Sequence, residues 1–363
     1  MPDMDVPKSI LVRCPNWVGD VVMATPALRC LRETFPQAKI TLLLRPPLMK
    51  ILEGAPWFDE AVGIEKVEGL RGLATWVMLA RQLRAQRFEL GLLLTNSLSS
   101  AFLFWLARVR RTVGYSRDAR DFLLSEALPR ASRGGKFLPI YTGDTFLTLC
   151  EHIGCAVKDR RLELFTTEDA ERRADAIFAG NSIESARPLV VINPGASFGS
   201  SKLWAAERFA WVADRLVEKY GCAIFICGSP GERPFGERIR SLMEAPALLL
   251  QNCGVPFDLG VLKSLIRRCA LLLTLDSGPR HFAVAFNRPA VTLMGPNSPL
   301  YTETPLERGE VVRVDVDCGP CQKKKCPTDL RCMTLITQEM VLEACERQLK
   351  SAGVSEIRKG PGN

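Results

Sequence analysis

No apolar run in this chain approaches the roughly 20 residues that a membrane-spanning helix needs. The runs present, residues 40–44, 90–94 and 189–192 among them, have the length of strands, so no transmembrane helix is expected. Residues 1–8 carry acids and prolines rather than a basic-then-apolar secretory pattern, which points to a cytoplasmic chain. Short-period repeats and low-complexity tracts are missing as well. The thirteen cysteines do not reverse that reading: their number is odd and the chain is long, so reduced thiols are expected rather than a disulfide framework. Nor is charge of one sign strongly in excess. A formal +8 on 363 residues reads as a solvated surface; it permits an anionic partner and does not mark nucleic-acid binding.

What is there is an alternation of short apolar runs with amphipathic stretches of helical period, the pattern of stacked βαβ units and a parallel sheet. The fold class is therefore α/β, and 363 residues with 47% hydrophobic content leave room for two cores. Strands are expected at residues 9–14, 39–44 and 89–94, with helices at 21–35 and 71–86. A second series opens at 189–193 and continues at 223–227, 248–251, 271–275 and 291–294. Between the series lies a charged, Ala-rich stretch, 166–187, ending at Pro188, where the domain junction is expected. The expected division is 1–165, a linker at 166–188, a second domain at 189–350 and a tail at 351–363. Two such α/β halves facing each other make a cleft at the carboxyl ends of their strands, where ligands of these sheets bind.

Chemistry is sought at those strand ends. The first strand runs into Pro15-Asn16-Trp17-Val18-Gly19-Asp20 and then a helix. Gly19 permits a tight turn, and Asp20 is either a helix N-cap or a carboxylate placed to take a proton from an acceptor hydroxyl. The second domain opens with Pro194-Gly195-Ala196-Ser197 through Lys202-Leu203-Trp204. Small residues let backbone amides approach an anion and Lys202 supplies a full charge, so this is either a diphosphate cradle or a simple loop; the GK[ST] ending of a P-loop is absent. Glu232, after the glycine-bearing turn at 227–231, suits a ribose or base as well as a helix cap. Asp276-Ser277-Gly278-Pro279-Arg280-His281 follows an apolar strand and precedes a helical run. Ser277 and Gly278 leave amides at a helix N-terminus, and His281 lies one turn in, as a ligand contact or as a buried, satisfied side chain.

Two further clusters remain. Cys318, Cys321, Cys326 and Cys332 form C-x2-C-x4-C-x5-C in a Gly/Pro/Lys-rich loop, which is either a structural zinc or iron–sulfur site or a set of packed thiols; no metal is assigned. Arg108, Arg110, Arg111, Arg117 and Arg120 follow a helical apolar run. They are a solvated basic face, or, for a phosphorylated acidic saccharide, acceptor contacts.

Taken together, Pro15 to Asp20, Pro194 to Trp204 and Asp276 to His281 resemble three motifs of the ADP-heptose:lipopolysaccharide heptosyltransferases of glycosyltransferase family nine. The resemblance covers nearly the whole chain, and three motifs in order are far more specific than any one. It implies a GT-B architecture of two Rossmann-like domains whose parallel sheets face across a cleft, with acceptor bound by the first and ADP-heptose by the second. It implies inverting heptose transfer without a divalent metal or other cofactor, onto the heptosyl-Kdo-lipid A inner core of lipopolysaccharide, in the cytoplasm with peripheral contact at the inner membrane surface and no nucleic-acid partner. Carried over by position, Asp20 matches the general base and Lys202 the lysine at the diphosphate. Ser197, Glu232, Asp276, Ser277, Gly278 and His281 match donor contacts, Glu232 at the adenosine; Arg117 and Arg120 are the acceptor-side candidates. Nothing transfers to Pro279 or Arg280, and the four-cysteine loop is absent from some members. The rival readings are a family-nine enzyme acting at another core position and a non-catalytic nucleotide-sugar-binding protein.

Overall fold

The computed structural model describes residues 6–65, 69–134, 136–181, 183–184 and 187–357. The chain divides into two compact units, Met1–Glu163 and Leu164–Asn363. In the first, the order is β1 (Ser9–Arg13), α1 (Val18–Met23), α2 (Thr25–Thr34), β2 (Lys39–Leu44), α3 (Pro46–Leu52), β3 (Glu60–Gly63), α4 (Gly69–Ala85), β4 (Leu90–Leu93), α5 (Leu98–Leu106), β5 (Arg111–Tyr115), β6 (Glu126–Leu128), a small hairpin of β7 (Ser132–Arg133) and β8 (Lys136–Phe137), and α6 (Thr142–His152). The second contains α7 (Glu168–Gly180), β9 (Leu189–Asn193), α8 (Ala206–Tyr220), β10 (Ala223–Ile226), α9 (Arg233–Leu242), β11 (Ala247–Leu249), α10 (Leu259–Arg268), β12 (Leu271–Leu275), α11 (Gly278–Ala285), β13 (Ala290–Leu293), β14 (Gly309–Val312), α12 (Arg331–Thr334) and α13 (Gln338–Ser351).

Each unit is built on a six-stranded sheet of the same order, β3-β2-β1-β4-β5-β6 and β11-β10-β9-β12-β13-β14. Every neighbouring pair in the two sheets is parallel. Helices cover both faces, so the inner strands must be apolar on both sides. LVVIN of β9 and LLLTL of β12 are accordingly buried at every position. The order reverses between β1 and β4 and between β9 and β12. Loops leaving those adjacent strand ends diverge to opposite faces and open a crevice there. The segments that follow β1, β9 and β12 are the three motif-bearing ones.

Local structure departs from the expected elements in four places. Residues 21–35 form two helices, since the chain kinks at Ala24 and Pro26 enters the first turn of α2. There Pro lacks only an N–H that would be unsatisfied anyway. Residues 166–187 are not a linker standing apart: α7 carries a Thr167 side-chain cap, packs on α10 and belongs to the second unit. The basic run after α5 holds β5, with Arg111 paired to Glu126 of β6. The tail begins ordered, with the Ile357 N–H donating to the Lys219 carbonyl at 2.8 Å; residues 358–363, like 1–5, lie outside the described residues.

Gly91 marks where α5 meets the first sheet. A Cβ there would stand 2.7 Å from Phe104 Cδ1 and 2.8 Å from Val109 Cγ1, both in the core. Overpacking of this kind costs about 1–3 kcal/mol. Gly91→Ala is therefore expected to lower the unfolding free energy by that much, measured by urea denaturation; an unchanged free energy would mean α5 is not held this closely.

Candidate active site

In the second unit the polar groups gather at the crevice between β9 and β12. Asn193, the last residue of β9, donates from Nδ2 to Thr274 Oγ1 (3.1 Å) and to Ser277 Oγ (2.8 Å), tying the two strand ends together. Ser277 then starts α11. Its hydroxyl is used on that cross-strand tie and not on the helix, whose first turn contains Pro279 and so one fewer N–H. The amide of Gly278 and the partial positive charge of the helix end face the crevice.

Lys202 reaches this point from the loop after β9. Its ammonium donates to the Asp276 carbonyl (2.6 Å) and to Asp276 Oδ2 (2.7 Å), and stands 4.9 Å from the Phe198 ring centroid. Lysine and aspartate are both buried, with side chains 8% and 5% exposed. Asn297 Nδ2 also donates to Oδ2, at 2.8 Å, and Arg280 Nη1 stands 3.6 Å from Oδ1. Burial would raise the Asp276 carboxyl, but Lys202 and Arg280 more than offset it and hold the group below the usual carboxylate range. Arg280 has no exposed surface and is locked bidentately by Glu307, Nε to Oε1 at 2.7 Å and Nη2 to Oε2 at 2.6 Å. Two cations and two carboxylates thus form one buried, balanced network. An ammonium has three N–H donors, so Lys202 has one beyond those Asp276 takes.

His281 lies beside this network, 3% exposed, with no hydrogen-bond partner on Nδ1. Burial, then the neighbouring Arg280, push its pKa down to about 3, so its imidazole is neutral at physiological pH. Gln251 Oε1 and Asn297 Oδ1 are likewise buried without a partner. Gln251 Nε2 donates to the Gly228 carbonyl at 2.8 Å. Orphaned buried polar atoms at the ends of parallel strands are the groups a polar ligand satisfies.

Glu232 closes a capping box: its Oε2 accepts from the Ser229 N–H (2.7 Å) and hydroxyl (2.8 Å). The carboxylate also lies against Gly195, where a Cβ would come 2.2 Å from Glu232 Cδ. Gly195 is thus required by the glutamate, whose Oε1 remains to accept. Ser197 is exposed on the same loop. That loop is braced from the cysteine-rich segment: the Ser201 N–H donates to the Lys324 carbonyl (3.2 Å), its hydroxyl to the Lys323 carbonyl (2.5 Å). Gly199, at φ +156°, admits the Lys324 carbonyl where a Cβ would clash at 2.2 Å. The four cysteines of that segment are free thiols, from exposed Cys318 to buried Cys332. Among the described residues no three His, Cys, Asp or Glu side chains converge in a metal-holding group.

In the first unit, Arg13 holds the turn after β1. Buried at 4% exposure, it donates to the Cys14 and Leu43 carbonyls and to Asn16 Oδ1 at 2.7 Å; burial lowers its pKa to about 10. Trp17 is the N-cap of α1 and Asp20 the third helical residue. Asp20 is therefore not the N-cap that its position in sequence suggests; it sits in the first turn, half-buried, where a carboxylate is favoured by the helix dipole. Arg120 requires a correction. It has no exposed surface, and its guanidinium donates to the carbonyls of Thr95 (2.6 Å) and Tyr115 (2.8 Å) and to Asn96 Oδ1. It staples the ends of β4 and β5 and is no docking cation for an acceptor. Arg117 is exposed, with Asp118 at 3.5 Å and the Phe137 ring at 5.8 Å, and stays a candidate.

A cation and a helix N-terminus at the switch point of a 3-2-1-4-5-6 sheet are the arrangement of a nucleotide-diphosphate-binding α/β protein. Residues 76–331 match the model for glycosyltransferase family 9 (heptosyltransferase), more than half of the chain, and the chain belongs to that family. Among similar proteins, lipooligosaccharide heptosyltransferase 2 of Haemophilus influenzae is 28% identical over 310 residues, 84% of this chain and 88% of that one. Lipopolysaccharide heptosyltransferase 2 of Salmonella typhimurium is 27% identical over 351 residues, 95% of this chain and 99% of the relative. The solved structure of E. coli ADP-heptose LPS heptosyltransferase II superimposes with a TM-score of 0.73 at 25% identity, covering 95% and 99% of the two chains. The expected GT-B class stands, and the chain is a glycosyltransferase.

The low pKa of His281 has a consequence for stability. Between about pH 6.5 and 3 the unfolded chain binds a proton at this imidazole that the folded chain does not, so stability is fully present above pH 6.5 and declines as pH falls through that window. Melting temperature measured from pH 7 down to about pH 4 is expected to fall more steeply for the wild type than for His281→Asn, which lacks the titration. Parallel curves would mean that folding does not lower the pKa of His281.

Proposed function

We propose that this glycosyltransferase catalyses the heptosyltransferase II step: transfer of heptose from ADP-L-glycero-D-manno-heptose to heptosyl-Kdo-lipid A, with inversion and without a divalent metal. The buried ammonium of Lys202, held against Asp276 at a helix N-terminus, is the observation that carries the reading. As the bond between the anomeric carbon and the β-phosphate oxygen breaks, negative charge grows on ADP. A fixed cation with an N–H to give, the Gly278 amide and the α11 dipole stabilise that charge with little reorganisation. Neutral His281 can offer a hydrogen bond there but no charge. Glu232 and the Gly195 turn suit the ribose or adenine, and Ser197 the diphosphate.

On the acceptor side, the attacking hydroxyl oxygen bonds to the anomeric carbon from the face opposite ADP while its proton passes to the Asp20 carboxylate. Exposed Arg117 suits an anionic group of the saccharide. The choice of the second heptose over another core position is supported by the Pro15-Asn16-Trp17-Val18-Gly19-Asp20 segment and by the similarity to heptosyltransferases 2 described above. The donor is a nucleotide sugar and the thirteen cysteines are unpaired, which suits the cytoplasm.

One assay tests the reading: purified protein, ADP-heptose and EDTA with acceptors carrying zero, one or two heptoses. Turnover is expected on the one-heptose acceptor. Asp20→Asn, which keeps the shape and removes the base, is expected to fold normally and lose about 10²- to 10⁴-fold in rate. Turnover that needs added Mg²⁺, a preference for another acceptor, or near-normal rates in Asp20→Asn would each overturn the corresponding part.

A further inference from the structure

The α4–α5 face of the first unit is built unlike a solvated helix pair. α5 buries Ala101, Leu103 and Phe104 against its sheet, yet Leu98, Phe102 and Trp105, spaced i, i+4, i+7, are 44%, 40% and 57% exposed. That spacing makes one continuous stripe, and the Phe102 and Trp105 rings stack at 5.7 Å. α4 packs beside α5 and exposes Met78 at 69%, one turn ahead of Arg81. A helix apolar on both faces needs a second apolar medium on the outer one.

Arginines cluster beside this stripe: residues 81–110 contain five arginines and a single acid, Glu89. Arg81 and Arg84 of α4, Arg87 in the turn after it, and Arg108 and Arg110 after α5 line one open pocket with Phe88 and Glu89. Glu89 accepts from the Lys8 N–H at 2.7 Å, and among the described residues none of the five arginines is ion-paired. An aromatic and aliphatic stripe ending in a guanidinium cluster is the composition of a surface that lies in the headgroup region of an anionic bilayer. Met78 and Leu98 offer nothing to a nucleic acid, whereas hydrocarbon accepts them.

We propose that the α4–α5 face docks on an anionic phospholipid surface, the stripe entering the acyl boundary and the arginines meeting phosphates. Vesicle binding is read without turnover, so it stands or falls separately from the reaction proposed above. The test is sedimentation of the full chain with vesicles of phosphatidylglycerol and phosphatidylcholine, against vesicles of phosphatidylcholine alone. Binding is expected to the first only and to weaken with salt. Phe102→Ser/Trp105→Ser and Arg84→Glu/Arg108→Glu/Arg110→Glu, all at exposed positions, are each expected to weaken it at least tenfold with unchanged melting temperature. Brominated lipid should quench tryptophan fluorescence in the wild type and less in Trp105→Phe. Absence of binding, equal binding to both vesicles, or wild-type binding by both variants would overturn the proposal. So would a solution dimer that Phe102→Ser/Trp105→Ser converts to monomer, since a second copy would then cover the stripe.

Discussion

Lys202 and Asp276 are buried charges, and burial of either alone would cost several kcal/mol. Each is tolerated because the other is there and because a hydrogen bond from Asn297 and the proximity of Arg280 complete the carboxylate's shell. Arg280 in turn is tolerated because Glu307 grips it bidentately. The chain of dependence therefore runs from β14's approach, Glu307, through α11 to the loop after β9. Such a network contributes little net stability compared with a well-packed apolar core, but breaking one member strands the rest. What it secures is position: a cation fixed at the end of β12 beside a helix N-terminus.

The first unit solves a related problem with neutral partners. At the ends of β1, β4 and β5 the chain leaves the sheet and its carbonyls lose their ladder partners. Arg13 and Arg120 supply the missing donors, and burial lowers the pKa of both to about 10. Arg120 bridges carbonyls at the ends of β4 and β5. The turn leading to Asp20 is thereby held by Arg13 through Asn16.

Strands with apolar residues on both faces were plain in the sequence: 39–44, 189–193 and 271–275 are strands over those same residues. β5 was not, because its apolar positions stand among arginines and read as a basic patch. One of the same arginines misleads about function. Arg120 and Arg117 look alike in sequence, and only the fold, by returning the chain over β4 and β5, buries one and exposes the other. Arg280 was illegible for the same reason: its partner lies 27 residues away. The pairing of Lys202 with Asp276 spans 74 residues and was likewise invisible, although each was a candidate for the same anion. The modest overall charge hid a local excess because acids elsewhere balance it in the total.

Lys202 is the member whose removal speaks most directly to the account, because Asp276 keeps Arg280 and Asn297 when the ammonium is gone. Calorimetric titration of ADP in EDTA into the wild type and Lys202→Met, with melting temperatures measured alongside, isolates its role. A charge-assisted hydrogen bond to the diphosphate is worth about 1.5–3 kcal/mol, so the dissociation constant is predicted to rise at least tenfold in a variant that still unfolds cooperatively. Equal affinity for ADP in the two folded proteins would contradict the claim that this buried ammonium receives the diphosphate.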